Sequence, residues 1–283
     1  MGWLRNWPAG LKATAGISLS PRVAFCYVTV VHPIAFQYGS FVVHWYGVLV
    51  ACGFLAGIWM TAWRARQQNI PTELIFDLSL YLLIFGMLGG KLFYLIAYWS
   101  DFQRNFSRDG FNALRSGFVF YGGFICAVVV TIWYARRHGI QHWRMADLFT
   151  PALPLGHAFG RLGCMAEGCC YGEATALPWA VHYPATHPMY PHGAHPTQLY
   201  EAAANLAFCA VLSWFYPRRK FDGQVFWLYA ICYAVMRFSI EFIRGDNPRH
   251  WPGHLTNSQV TALLWLVAAA IFLWRLPRTR AAS

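Results

Sequence analysis

The sequence predicts an all-α polytopic membrane protein, with about seven transmembrane helices, a central lipid-accessible cavity and a small loop region outside the bilayer. Three observations carry the helical membrane class, and the cavity is read from the charged residues taken up below. Of 283 residues, 57% are hydrophobic and only 12% charged, against about 25% charged in an ordinary soluble domain. The apolar residues gather into runs near the length of about 20 residues that a helix needs to cross a bilayer. Tryptophan and tyrosine stand near the ends of those runs, where their rings anchor at the membrane interface; Trp45, Trp63, Trp99, Tyr134, Trp214 and Trp274 are examples.

The seven runs cover residues 41–63, 74–99, 117–134, 145–159, 199–216, 223–242 and 259–274. The fourth is short and is interrupted by Pro151 and Pro154, with Gly156 and His157 following. Broken backbone at membrane depth is tolerated only against protein or a wet cavity, so this run is expected to line a site. Counting the runs as spans leaves one membrane domain over 41–275. It is preceded by an interfacial segment over 1–40 and followed by a tail over 276–283. No cleavable signal peptide is expected, because no clean apolar stretch follows Arg5, Lys12 and Arg22.

The net charge of +11 does not point to nucleic acid. Basic residues sit in short clusters between apolar runs, as flanks of membrane helices do, and there they meet anionic headgroups favourably. Arg64 and Arg66, Arg136, Arg137 and Arg144, Arg218, Arg219 and Lys220, and Arg275, Arg278 and Arg280 fall on one side of a seven-span chain. That side is expected to be the cytoplasm, with the N-terminus outside. Arg104, Arg108 and Arg115 count against it. The irregular segment 160–198 then lies outside and carries His182, His187, His192 and His195.

Ionisable groups at membrane depth are costly and mark function. In the sixth run Tyr233, Arg237, Glu241 and Arg244 recur at i, i+4, i+8 and i+11, one face of a helix. Two arginines against one carboxylate leave a positive charge in search of an anion; the bland alternative is an Arg237–Glu241 pair that only locks helices. The stretch from Gly160 to Gly172 holds Arg161 among Gly163, Gly168 and further glycines. Exposed amides of such a loop bind anions, and a guanidinium suits bidentate phosphate contact; the alternative is an ordinary turn. Gly89, Gly90, Gly122 and Gly123 read as close-packing positions between helices. Lys91, near the middle of its run, either snorkels or adds charge to the same cavity.

Cys52, Cys126, Cys209 and Cys232 fall inside apolar runs and read as small core residues. For Cys164, Cys169 and Cys170 the order of readings is a disulfide from Cys164 to Cys169 or Cys170, or plain packing; then metal with the nearby histidines; then a catalytic thiol.

In chain order over residues 44–244, these motifs resemble the prolipoprotein diacylglyceryl transferase family. His44-Trp45-Tyr46-Gly47 is similar to its first-span motif. Gly89-Gly90-Lys91 resembles Gly-Gly-Arg, and Tyr121-Gly122-Gly123 resembles His-Gly-Gly. Gly160-Arg161-Leu162-Gly163 opens the family signature, and Gly172 closes it. His195-Pro196-Thr197-Gln198-Leu199-Tyr200-Glu201 resembles His-Pro-Ser-Gln-Leu-Tyr-Glu. Tyr233, Arg237, Glu241 and Arg244 fit the sixth-span pattern. The departures are Tyr121 for histidine, Cys164 for the signature asparagine and Cys169 for its glutamate.

The resemblance implies transfer of a diacylglyceryl group from phosphatidylglycerol to the cysteine of a prolipoprotein signal peptide, in a bacterial inner membrane with a periplasmic loop region. It implies catalytic roles for Arg161, Arg237, Tyr46, Tyr121 and Glu241. Phosphatidylglycerol would be held by Arg161, Gly160, Gly163, Cys164, Gly172, Arg244, Lys91 and Tyr233. Membrane lipids are the other expected partners; no cofactor, metal or nucleic acid is expected. The competing readings are a paralogue with another acceptor and a membrane metal or redox protein built on the outer cysteines and histidines.

Overall fold

The computed structural model describes residues 31–39, 41–110, 117–245, 249–251 and 255–275. Residues 1–30 of the predicted segment 1–40 lie outside them, and with them the expected lack of a cleavable signal peptide, as do Arg115, Arg278 and Arg280. The chain divides into two compact units, one containing residues 73–142 and the other residues 21–72 and 143–283.

The first unit holds α2 (Thr72–Ala97, whose first residue belongs to the second unit), α3 (Trp99–Asp109) and α4 (Phe120–Arg137). Glycines set how closely α2 and α4 approach. A Cβ on Gly89 would stand 2.7 Å from the Gly122 carbonyl oxygen, and one on Gly122 would stand 2.5 Å from that of Gly89. The close-packing reading of these glycines therefore holds. α3 occupies a stretch read as loop. Its apolar residues Trp99, Phe102 and Phe106 recur at i, i+3 and i+7 and stack along one side, with ring centroids 5.8 and 5.7 Å apart. Such a short amphipathic helix suits the membrane interface.

The second unit opens with a hairpin of β1 (Ile34–Tyr38) and β2 (Phe41–His44), paired antiparallel, and then α1 (Trp45–Gln67). The first helix thus starts four residues later than the apolar run, because residues 41–44 pair as strand. After α1 come α5 (His142–Phe149), α6 (Ala152–Glu167), α7 (Thr197–Phe215), α8 (Gln224–Ile240) and α9 (Asn257–Arg275). β3 (Val181–His182) pairs with β4 (Gly193–Ala194), and β5 (Arg249–Trp251) with β6 (Leu255–Thr256).

Among the described residues, α1, α2 and α9 are long and apolar enough to cross a membrane, and α8 is a shorter apolar helix. The fourth run is broken as its prolines predict, between α5 and α6. However, α6 continues to Glu167, so residues 160–167 are helix and not part of the irregular segment.

α1 and α6 pack antiparallel along small residues. Tyr46 meets Gly163, Gly53 meets Gly156 and Phe159, and Gly57 meets Ala152. Asp147, wholly buried, caps α8 from α5: its Oδ2 accepts from Gly223 N at 2.8 Å and its Oδ1 from Phe226 N at 2.9 Å. These are orphan amides of a helix start, where a carboxylate is favoured. Arg64, read as part of a loop, is buried in the last turn of α1 and donates to Ser213 Oγ at 2.8 Å. Cys209 is buried as expected, whereas Cys52 is exposed on α1 and is not a core residue.

Candidate active site

Three helices bring the charged residues of the second unit together. α6 carries Arg161, α7 carries Glu201, and α8 carries Arg237 in its last turn. Arg161 Nη2 lies 2.9 Å from Glu201 Oε2. Arg237 Nη1 and Arg244 Nη1 approach Glu201 Oε1 at 3.8 and 3.9 Å. Arg237 Nη2 lies 2.8 Å from Glu241 Oε2 and donates to Ser258 Oγ at 2.8 Å. Glu201 is completely buried and Glu241 nearly so.

Two expectations are corrected here. The sixth run is not helical as far as Arg244: α8 ends at Ile240, and the turn that follows brings Arg244 to Glu201. The pairing is also not two arginines against one carboxylate. Glu201 adds a second carboxylate, so among the described residues three guanidiniums and two acids make up the cluster. A buried ion network is weak evidence of stability, because desolvation cancels most of its attraction. What the network does fix is the position of the guanidiniums relative to Glu201 and Glu241.

His157, one turn before Arg161, accepts from Arg161 Nε at 3.1 Å through its Nε2. An arginine only donates, so this imidazole is neutral at that nitrogen. The same ring lies 5.6 Å from that of Tyr233, centroid to centroid. His157 thus links Arg161 to α8.

The glycines of the signature do not form an anion-binding loop at their start. Gly160 and Gly163 lie inside α6, where their amides belong to the helix ladder. Gly163 is needed for another reason: a Cβ there would stand 2.9 Å from Tyr46 Cδ2. That contact places Tyr46 against α6, on the helix that bears Arg161. At Gly160 a Cβ would meet nothing within 4 Å, so the space beside this position is open. Gly172 is a junction. Its amide donates to His195 O at 3.0 Å, it bridges to Arg244, and a Cβ there would stand 2.6 Å from His195 Cβ.

α6 ends on Gly168 in the left-handed conformation, with Cys169 N donating to Cys164 O at 3.0 Å. The sulfurs of Cys164, Cys169 and Cys170 then lie within 4.8 Å of one another, with no disulfide between them. Hydrogen bonds from Cys164 and Cys169 favour the Cys170 thiolate, and the Arg244 and Arg161 guanidiniums add to this against the opposing effect of burial. α7 grips the turn: Thr197 Oγ1 donates to Cys170 O and Gln198 Nε2 to Cys169 O, both at 2.7 Å. Of the loop histidines, His187 is committed elsewhere. Its Nε2 donates to Gly168 O at 2.8 Å and its Nδ1 accepts from Met189 N at 3.2 Å, leaving no nitrogen for a metal.

Lys91 and Tyr121 belong to the first unit. Lys91 Nζ donates to Gly117 O at 3.4 Å and lies 5.0 Å from the Tyr94 ring centroid. Tyr121 is exposed beside Phe120.

Glu201 and His157 are the residues that the sequence reading left out of the site. Glu201 had a legible signal, since it closes the His195–Glu201 motif. It also continues a buried polar stripe of Thr197, Glu201 and Asn205 at i, i+4 and i+8 on an apolar helix.

A helical chain with membrane-length apolar helices and a cluster of guanidiniums paired to buried carboxylates has the make-up of a membrane protein. Comparison with known proteins narrows this. The family model of prolipoprotein diacylglyceryl transferase matches residues 33–275. A phosphatidylglycerol–prolipoprotein diacylglyceryl transferase of Clostridium tetani is 32% identical over 250 residues, 88% of this chain and 98% of the relative. The enzyme of that name from Chromohalobacter salexigens is 33% identical over 86% of this chain and 92% of its own. One from Finegoldia magna is 30% identical over 84% and 93%. The chain belongs to the prolipoprotein diacylglyceryl transferase family.

Proposed function

We propose that this chain transfers the diacylglyceryl group of phosphatidylglycerol to the cysteine thiol of a prolipoprotein signal peptide, forming a thioether and releasing glycerol phosphate. The observation that carries the reading is the convergence of Arg161, Arg237 and Arg244 on Glu201. Family membership over residues 33–275 supports it.

In this reading the acceptor attacks, as its thiolate, the glycerol carbon that bears the phosphate. The S–C bond forms, the C–O bond breaks, and the phosphate leaves with the electron pair. Negative charge on the leaving oxygen grows through the transition state. Guanidiniums already held in place stabilise it there more than in the ground state, and their field also favours the thiolate. Arg161 and Arg237 carry this role. Arg244 holds the phosphate, and Glu241 orients Arg237. Tyr46 and Tyr233 flank the arginines, and Gly160 leaves space for the headgroup. Cys164, Gly163 and Gly172 shape the surrounding chain. For Lys91 and Tyr121 the proposal rests on the motif resemblance alone.

The same reading takes α1, α2, α4, the broken pair α5–α6, α7, α8 and α9 as seven spans of one catalytic domain over 41–275. The N-terminus is periplasmic, the C-terminus cytoplasmic, and a lipid-accessible cavity opens beside the arginines. The test is rescue of a strain depleted of its diacylglyceryl transferase, with lipoprotein mass as readout. Wild type is expected to restore the lipid mass. Arg161→Ala and Arg237→Ala each are expected to lower transfer by about 10²–10³-fold, as loss of an oxyanion-type donor does. Full transfer by either variant would overturn the assignment.

A further inference from the structure

In the transfer step described above Cys164 only shapes the surrounding chain and Cys169 and Cys170 have no part, yet the three form a close group of metal-ligating side chains among the described residues. Their convergence is built by the backbone. Gly168 turns the chain out of the helix at φ +73°, and Cys170 itself adopts φ +62°, a conformation that costs a non-glycine residue free energy and gathers at functional sites. The result brings two consecutive cysteines back over Cys164, with all three sulfurs inside 4.8 Å.

We propose that Cys164, Cys169 and Cys170 bind one thiophilic cation, Zn²⁺ or Cu⁺, as a three-thiolate site. The distances suit it. An ion at the centre of a triangle with 4.8 Å sides sits about 2.8 Å from each sulfur, and small side-chain rotations close that to the Zn–S length of about 2.3 Å. Sulfur donors select soft ions over magnesium or calcium. Cys169 is exposed, and Cys164 and Cys170 are half-buried, so an ion can enter while the turn screens it. Three ligands complete a trigonal Cu⁺ site, or leave one position of a tetrahedral Zn²⁺ site open. Binding releases thiol protons and changes no oxidation state. His187 is not a ligand, because both of its nitrogens are engaged.

The ion would also act on structure. The carbonyls of Cys169 and Cys170 are held by Gln198 and Thr197, in the turn of α7 just before Glu201. A bound cation would therefore fasten the end of α6 to the start of α7, beside Arg161. This does not depend on the transferase reading.

The experiment uses the full chain in detergent, reduced and metal-depleted, titrated separately with Zn²⁺ and with Cu⁺ against chromophoric chelators. One equivalent of either ion is expected to bind, protecting three thiols from alkylation in the unmutated protein and raising its melting temperature. Co²⁺ in place of Zn²⁺ is expected to give a thiolate-to-metal charge-transfer band. Cys169→Ser and Cys170→Ser are each expected to weaken binding by more than the roughly 10–100-fold that loss of an outer-shell partner costs, whereas Cys126→Ser and Cys232→Ser bind as wild type. Three outcomes overturn the proposal: no stoichiometric binding of either ion, binding that survives replacement of all three cysteines, or a disulfide between two of them in protein isolated from membranes. The alkylation readout needs no variant, so a Cys170→Ser protein that fails to fold leaves the test intact.

Discussion

Arg161 Nη2 and Glu201 Oε2 lie 2.9 Å apart, the carboxylate wholly buried and the guanidinium nearly so. This pair joins α6 to α7 and is the point on which Arg237 and Arg244 also converge. The charge balance of the cluster follows from it.

Glu201→Gln keeps the shape of the side chain and removes its charge, leaving three guanidiniums with Glu241 as the remaining acid of the cluster among the described residues. Breaking a buried ion pair from one side costs about 3–5 kcal/mol. The variant should melt well below wild type in detergent, and Glu201→Asp should recover part of the loss. Unchanged melting of Glu201→Gln would show that Glu201 does not hold the arginines.

The two signature glycines of α6 should respond in opposite ways. Gly163→Ala drives a Cβ to within 2.9 Å of Tyr46 Cδ2 and should destabilise by about 1–3 kcal/mol through overpacking. Gly160→Ala meets open space and should stabilise by about 0.5–1 kcal/mol, the helix preference of alanine over glycine. Melting temperatures of the two variants check this directly. Equal effects would contradict the geometry.

Asp147→Ala removes the acceptor for two amides at the start of α8. The expected loss is about 2–6 kcal/mol, from orphaning two donors at about 1–3 kcal/mol each. Hydrogen exchange at Gly223 and Phe226 should speed up before that of the rest of α8, which separates loss of the cap from general unfolding.

His187 sets a pH dependence in the loop between α6 and α7. Burial lowers its pKa, against the opposing effect of its bond to Gly168 O. The unfolded chain, with a value of about 6.5, therefore takes up the proton first as pH falls. The stabilisation from neutral His187 is complete above about pH 6.5 and fades as pH drops toward the lower folded value. The melting-temperature gap between wild type and His187→Gln should shrink between about pH 7.5 and 5. A gap that widens on acidification would mean the ring is charged in the folded state.

Much of this protein was legible from residue type and spacing. Helices stand at the positions of all seven apolar runs, since long apolar runs have few other ways to satisfy their backbone in a membrane. The break at Pro151 was visible because proline removes a ladder donor. Arg161, Arg237 and Arg244 were visible because charge is costly in apolar surroundings. The helical state of Gly160 and Gly163 was not. Glycine-rich sequence reads as loop, and only the facing surface of α1, with Tyr46 and Gly53, explains why small residues serve α6 there.

The sequence by itself therefore determined the class of molecule and the charges set among its apolar runs, because hydropathy and ionisation are properties of single residues. Tertiary structure decided which carboxylate those charges share, where α8 stops, and that three cysteines meet. These depend on distances between segments far apart in the chain, and no local pattern records them.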